Sequence, residues 1–364
     1  MPPLRSSRKP PARARCPASS KELAARFAEA VKAAGAPWPG AVAVSGGSDS
    51  LALMFLLRDW AKKSGLPPPV VLCVDHALRP ESAGEVRKVI RQAKAAGLQA
   101  RVFVRKGKAP RAGIEAAARE ARYRLMGEWA AQNGLKAIYV GHTRDDQAET
   151  FLLRLARGSG VDGLAAMRMV APYPLKEFYG LTLVRPLLAF DREVLREELR
   201  ARNQDWLDDP MNADPRFARV RIRNAWPALE AMGLSKERVA GAAAHLARAR
   251  AALDKVSQAV LARACRFDGP EALLDPGALT GAPRELGLRA LAAVLIEVSE
   301  NPYRPRFERL ERLFDQIVDG PLGAGRTLHG CRVGPAPAAR ACFGRGTLLV
   351  RREECRRKTM KNNG

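Results

Sequence analysis

The 364-residue chain has no apolar run near the roughly 20 residues that a membrane-spanning helix needs, and no secretory apolar segment near its start. The expectation is a cytoplasmic chain without a membrane partner. Its six cysteines (Cys16, Cys73, Cys265, Cys331, Cys342, Cys355) contain no C-x-x-C pair and no short Cys/His ligand spacing. That pattern argues for ordinary thiols in a reducing compartment, and Cys331 and Cys342 would pair only in an oxidising one. No acid precedes Glu22, while residues 1–20 carry five prolines and five basic residues. Such a stretch cannot bury apolar surface and predicts a disordered basic tail, and its prolines argue against an amphipathic transit peptide. No internal repeat is present.

Positive charge is what the chain has in surplus: 62 Lys and Arg against 38 Asp and Glu, a net +24. That surplus attracts polyanions, nucleic acid first, although an arginine-rich codon bias spread over every surface would give the same total. With 47% hydrophobic residues and this length, two or three globular domains are expected.

From about residue 41 to 157, short apolar runs alternate with helical patterns: "AVAV" then 49–63, "VVLCV" then 82–96, "ARVFV" then 114–132, "AIYVG" then 144–157. The alternation is βαβα. It predicts a parallel sheet with helices on both faces and ligands at the carboxyl ends of its strands. Residues 158–218 are less regular, with a strand in "LTLVRPLL", a helix over 191–203 and the turn-rich "DWLDDPMNADPRF". Beyond a boundary near 216, helices are predicted over 235–264, 284–299 and 305–318, then short strands in "GRTLHGCRV" and "GTLLVRRE".

The turn Ser45-Gly46-Gly47-Ser48-Asp49-Ser50 follows the first strand and opens a helix. Its backbone N–H groups and hydroxyls can converge on an anion at the positive helix end, while a plain turn with a Ser or Asp cap is the alternative. A Walker loop would place a lysine where Ser50 and Leu51 stand, so chemistry at a γ-phosphate is disfavoured. Asp49 would repel phosphates unless a cation bridges them, which points to magnesium on a pyrophosphate and to cleavage between α- and β-phosphates. "SGGSDS" after an apolar strand resembles the signature of the PP-loop ATP pyrophosphatases, which activate an oxygen as an adenylate and release pyrophosphate. GMP synthetase, asparagine synthetase, tRNA thiolases and tRNA(Ile)-lysidine synthetases share it.

Three further stretches discriminate among these. "VDHALRPES" brings Asp75, His76 and Arg79 to the same sheet edge, and "GIEAAAREARY" sets Glu115, Arg119 and Arg122 on one helix face; an ordinary turn and a solvated salt-bridge face are the alternatives. "GHTRDDQAETFLLRLARGSGVDGLAAM" puts Asp145, Asp146 and Glu149 within about one helical turn. Acids there complement the helix dipole, but three so close also repel, and magnesium or the ammonium of a lysine substrate would relieve that. Gly158 to Gly163 matches G-x-G-x-x-G but follows a helical pattern, so no dinucleotide role is assigned.

In order, these stretches, with "RPLL", "WLDDPMNAD" and "RVRIRNAWPAL", resemble the tRNA(Ile)-lysidine synthetase family over roughly residues 40–225. A thiolase would be expected to carry a C-x-x-C pair. A small-molecule amidotransferase fits neither the charge nor the absence of a glutaminase-like cysteine motif, and a non-catalytic RNA-binding protein would not need every chemically demanding position filled. The resemblance implies an α/β fold: a parallel-sheet PP-loop nucleotide-binding domain, then a mostly helical substrate domain and a short α+β C-terminal region. The expected division is a tail at 1–20, a catalytic ATP-binding domain at 21–215, a helical tRNA-binding domain at 216–320, and short strands with a basic tail at 321–364.

The implied partners are ATP, magnesium, free lysine and an isoleucine tRNA with a CAU anticodon; a homodimer is compatible with the resemblance. Ser45, Gly46, Gly47, Ser48, Asp49 and Ser50 are expected to bind the nucleotide's pyrophosphate, with Asp49 also catalytic through magnesium. His76 and His142 would lie near the nucleotide, and Arg119 would neutralise charge on the α-phosphate. Asp146 and Glu149 are expected to hold the lysine ammonium, Asp145 to serve as metal ligand or amine orienter, and Asp145 or Asp146 to act as the base. The run Arg216, Arg219, Arg221 and Arg223 suits phosphates of the tRNA, a solvated basic helix being the alternative.

Overall fold

The computed structural model describes residues 19–35, 38–75, 82–105, 114–208, 214–301 and 303–353. The chain forms two compact units, Met1–Ala247 and Arg248–Gly364. In the first, α1 (Ser20–Ala33) is capped by the Ser19 hydroxyl, which accepts the Glu22 amide at 3.3 Å. The last two residues of the expected tail therefore belong to a helix and its cap. Leu23, Phe27 and Val31, four apart, form its buried stripe.

Then follow β1 (Gly40–Ala43), α2 (Ser48–Lys63), β2 (Val70–Asp75), α3 (Ser82–Ala95), β3 (Ala100–Val104), α4 (Ile114–Gln132), β4 (Ala137–Val140) and α5 (Arg144–Leu155). The predicted βαβα alternation is thus observed. After α5 come the short α6 (Val161–Leu164), β5 (Val170–Pro172), β6 (Thr182–Val184), α7 (Arg192–Ala201) and α8 (Ala218–Ala231). The sheet order is β3-β2-β1-β4-β6-β5, parallel except for β5, which runs antiparallel to β6 at the edge. The sequence does not announce this edge strand, because three residues are too few to show a period.

α2 is apolar nearly all round, with Leu51, Leu53, Met54 and Leu57 fully enclosed, because it packs inside the main core rather than upon it. β1 lies between β2 and β4, where the strand order reverses, and sheets of this type bind ligands beyond the carboxyl ends of strands at that point. Both the Gly-rich turn and the head of α5 sit there.

α9 (Lys236–Ala264) carries the chain past residue 247. The second unit continues with β7 (Cys265–Asp268), β8 (Glu271–Leu274), α10 (Pro276–Thr280), α11 (Arg284–Ser299), α12 (Phe307–Asp319), β9 (Arg326–Leu328), β10 (Cys331–Pro335) and β11 (Leu348–Arg352). The strands form an antiparallel sheet of order β7-β8-β11-β10-β9. α11 buries Leu291 and Leu295 in one cluster with Leu313 and Phe314 of α12 and with Val333 and Val350 of the sheet. The β7–β8 hairpin turns at Gly269 and lies between two predicted helices, where no strand is expected; strands of four residues leave little alternation to read. Among the described residues no helix is long and apolar enough to cross a membrane.

One backbone contact positions the first unit's ligand edge. Gly141, just past β4, lies so close to α2 that a Cβ there would meet the Asp49 carbonyl carbon and oxygen and the Ser50 Cα, each at 2.9 Å. Backbone cannot yield as a flexible side chain can. Gly141→Ala is therefore expected to cost about 1–3 kcal/mol, as overpacking does elsewhere. Thermal unfolding checks this, and an unshifted Tm would show that α2 and β4 can separate without penalty.

Candidate active site

The Gly-rich turn is held by its own hydroxyls and by a distant leucine. Ser50 Oγ donates to the Gly47 carbonyl at 3.0 Å and accepts the Ser45 amide at 3.2 Å, with Ser45 Oγ also 3.2 Å away. Gly46 adopts φ +92°, its carbonyl accepts the Leu207 amide at 2.9 Å, and a Cβ there would fall 2.5 Å from Leu207 Cδ1. Glycine is thus required twice, for the dihedral and for the close approach. Gly47 caps α2 without a side chain, so no side chain competes for the first amides of the helix, which is the arrangement that accepts an anion.

Asp49, on the first turn of α2, gives Oδ1 to the Ser48 hydroxyl at 3.1 Å and Oδ2 to Arg192 Nε at 2.9 Å. Burial pushes its carboxyl above the usual aspartate range, and Arg192 only partly opposes this. Arg192 is the first residue of α7. Its Nη2 lies 3.5 Å from Asp146 Oδ2, and its backbone amide donates to Asp145 Oδ2 at 3.2 Å. One residue therefore ties the Gly-rich turn to both aspartates of α5.

The head of α5 holds three carboxylates almost out of water: Asp145, Asp146 and Glu149 are 4%, 7% and 3% exposed. Asp146 Oδ2 accepts the Thr143 amide at 2.8 Å and its hydroxyl at 2.9 Å, so it caps the helix as dipole complementarity allows. Its Oδ1 takes Arg219 at 3.2 Å. Glu149 is gripped by Arg223 through Nε at 2.6 Å and Nη2 at 3.2 Å, with Arg219 at 3.7 Å. Asp145 Oδ1 accepts Lys236 Nζ at 2.6 Å. Burial would raise both aspartates, yet Lys236 and Arg192 hold Asp145, and Arg192, His142 and the Thr143 amide hold Asp146, below the ordinary range.

His142 precedes this turn, and its Nδ1 is buried with no hydrogen-bond partner among the described residues. Burial lowers its pKa to about 4, with Arg185, Arg119 and Arg219 adding to the fall and Asp146 resisting it. A neutral imidazole thus stands among arginines. Arg119 lies over the Tyr123 ring at 4.9 Å, and Arg185, itself buried, donates to the Arg168 carbonyl at 2.8 Å.

The four arginines of the basic run do not share a face. Arg219 and Arg223, four apart on α8, turn toward α5, while Arg216 and Arg221 are exposed. Arg216 forks onto Asp214, and Arg221 donates to the Pro215 and Arg216 carbonyls. His76, Arg79 and the side chain of Glu115 lie outside the described residues, as do 209–213 of the "WLDDPMNAD" stretch.

Sequence reasoning missed Arg192 and Lys236. Each stands near the start of a helix otherwise legible only by its period, and nothing local distinguishes it from a solvated charge. Among the described residues no three His, Cys, Asp or Glu side chains are grouped to hold a metal. Asp49 fits magnesium only as one carboxylate beside phosphate oxygens, the usual mode for a nucleotide-borne ion.

The His142 shift makes a pH prediction. Its folded pKa, about 4, lies below the ordinary 6.5, so the unfolded chain binds the extra proton between those values. Stability contributed by the neutral ring is complete above about pH 6.5 and lost as pH falls toward 4. The Tm of the wild type should therefore fall more steeply across this window than that of His142→Asn; parallel profiles would mean that the ring titrates normally.

A family model described as a PP-loop domain matches residues 20–229. The chain is 39% identical over 303 residues to a tRNA(Ile)-lysidine synthase of Ruegeria pomeroyi, covering 80% of this chain and 70% of that one. It is 37% identical over 362 residues to another from Bradyrhizobium diazoefficiens, covering 91% and 98%. Among solved structures, the U34-tRNA thiolase of Methanococcus maripaludis shares the fold, at 14% identity and a TM-score of 0.50, covering 63% of this chain and 78% of that one. The match to the two synthases over most of the chain, joined to a PP-loop domain whose Gly-rich turn lies beside buried carboxylates, makes the chain a member of the tRNA(Ile)-lysidine synthase family.

Proposed function

We propose that this enzyme joins free lysine to C2 of the wobble cytidine in an isoleucine tRNA with a CAU anticodon, through an adenylated tRNA intermediate. The observation that carries the reading is the junction at Gly141, which sets an anion-accepting turn beside three buried carboxylates. The first serves a nucleotide's phosphates and the second an amine.

In the first half-reaction the C2 oxygen attacks the α-phosphorus and pyrophosphate leaves. Ser45, Gly46, Gly47, Ser48 and Ser50 receive the pyrophosphate, and Arg119 offsets charge growing on the α-phosphate. The orphaned His142 Nδ1 offers the nucleotide a neutral donor or acceptor, and His76 is assigned to the same neighbourhood. Magnesium on the phosphates supplies charge neutralisation, with Asp49 as the carboxylate that would take it.

In the second half-reaction the ε-nitrogen of lysine bonds to C2, the C2–O bond breaks and AMP departs. A lysine amine with pKa about 10.4 must lose a proton to attack, so a carboxylate has to stand at the point of reaction. Asp146 and Glu149 hold the amino acid, and Asp145 orients the reacting amine and takes its proton, with Asp146 the alternative base. Arg216 and Arg221, which face solvent, are assigned to tRNA phosphates, whereas Arg219 and Arg223 turn inward to Asp146 and Glu149. ATP, tRNA and free lysine meet in the cytoplasm, where we place the enzyme.

The test is pyrophosphate release from ATP with unmodified isoleucine tRNA, with and without lysine, followed by nucleoside analysis for lysidine. Lysine-dependent lysidine is expected; pyrophosphate release without lysidine would require another nucleophile. Asp145→Asn should lower the lysine-dependent step by about 10²–10⁴, the usual range for a lost base, and spare most single-turnover adenylation. Equal loss of both steps would remove Asp145 from the amine site. Reversing Arg216 and Arg221 to Glu should weaken tRNA binding and flatten its dependence on log salt by about 1 for each phosphate no longer neutralised. An unchanged slope would take this face off the tRNA.

A further inference from the structure

The carboxylates at the head of α5 are already matched by cations of the chain itself. Arg223 forks onto Glu149, Arg219 reaches Asp146 and Glu149, Arg192 bridges Asp49 and Asp146, and Lys236 takes Asp145. A cationic substrate can reach these groups only by exchanging with one of them. The three arginines are poor candidates, because planar guanidinium groups each engage two acceptor atoms.

Lys236 differs in the shape and reach of its charged group, although Arg219 is as exposed. Its ammonium holds one oxygen of Asp145, at 2.6 Å, on a flexible stem whose side chain is 42% exposed. The ammonium also lies 5.7 Å from the Trp226 ring centroid, close enough for a cation–π attraction. Carboxylate and indole together form a seat for a primary ammonium, and the group now in it is chemically the ε-ammonium of the proposed substrate.

We infer that Lys236 occupies the amine position of the lysine site in the free enzyme, that free lysine displaces it, and that this competition sets the enzyme's affinity and selectivity for lysine. The inference rests on the proposed function. An ammonium tethered at its own site acts at an effective concentration in the millimolar range. A simple alkylamine must beat that competitor with one charge. Lysine brings an α-carboxylate as well, for which the partly exposed Arg219 stands nearby. The internal competitor thus penalises every amine equally, and only one with further contacts recovers the loss.

Steady-state lysidine formation with lysine varied tests this. Lys236→Met keeps the stem and removes the charge, and should lower the lysine KM by at least about fivefold, given that effective concentration. It should also let n-butylamine compete with lysine more strongly than in the wild type. Arg238→Met, which removes a neighbouring exposed charge that donates to the Gly233 carbonyl, should leave the lysine KM where it is. Lys236→Arg exchanges the point charge for a fork that grips Asp145 through two bonds, and should raise the KM. An unchanged or higher KM in Lys236→Met overturns the inference, since a residue that merely positioned Asp145 would give that result. Were Lys236→Met to fail to fold, an unchanged or lower KM in Lys236→Arg would overturn it instead. A wild type that makes no lysidine overturns the proposed function and this inference with it, whereas lysidine with unmoved KM values overturns the inference alone.

Discussion

Carboxylates taken out of water cannot stay ionised without cations, and that constraint organises the first unit. Asp145, Asp146 and Glu149 are buried within about one turn, and Asp49 faces them from α2. Removing the partner of a buried charge typically costs about 3–5 kcal/mol, so Arg192, Arg219, Arg223 and Lys236 are structural necessities before they are anything else. Because they come from α7, α8 and the start of α9, three elements remote in sequence from α5 are drawn to one edge of the sheet. The same pairs that hold the elements together hold the carboxyls of Asp145 and Asp146 below the ordinary range against the effect of burial.

Electrostatic need also explains how the basic surplus is spent. From sequence, Arg216, Arg219, Arg221 and Arg223 form one dense cationic run, suited as a whole to a polyanion. The helical period divides it: residues four apart turn inward to carboxylates, and the remaining two look outward. A count of positive residues therefore overstates the field available to a nucleic acid, since part of it is consumed by buried acids of the same chain.

The sequence made the parallel sheet and the Gly-rich turn legible because their signals are local. Period-two and period-3.6 patterns separate cleanly from residue 41 to 157, and "SGGSDS" lies where a strand meets a helix. The clustering of Asp145, Asp146 and Glu149 was legible from helical spacing alone. Arg192 and Lys236 were not, because their roles depend on partners 143 and 91 residues away, and a single chain without its fold carries no record of such pairs. The strands β5, β7 and β8 escaped for a different reason: at three or four residues each, neighbours rather than their own pattern fix their register.

This chain shares its fold with a U34-tRNA thiolase, and the proposed function assigns the PP-loop turn and the groups that meet the nucleophile to different elements. In the proposed reaction the turn after β1 and the amides of α2 accept an anion whichever group later displaces the nucleotide, so nothing there need distinguish sulfur from nitrogen. That choice falls to the group that meets the activated carbon. In the proposed reaction it is the cluster of carboxylates on α5, hard oxygen acceptors suited to an ammonium, and the sequence has no C-x-x-C pair to offer a softer nucleophile a metal or a disulfide. On the same proposal, selectivity among amines depends on the cations facing those carboxylates, since an incoming amine would have to match the charge already seated there. The proposed chemistry is thus divided in space, with activation at the head of α2 and choice of nucleophile at the head of α5, and the close approach of Gly141 to α2 sets the two side by side.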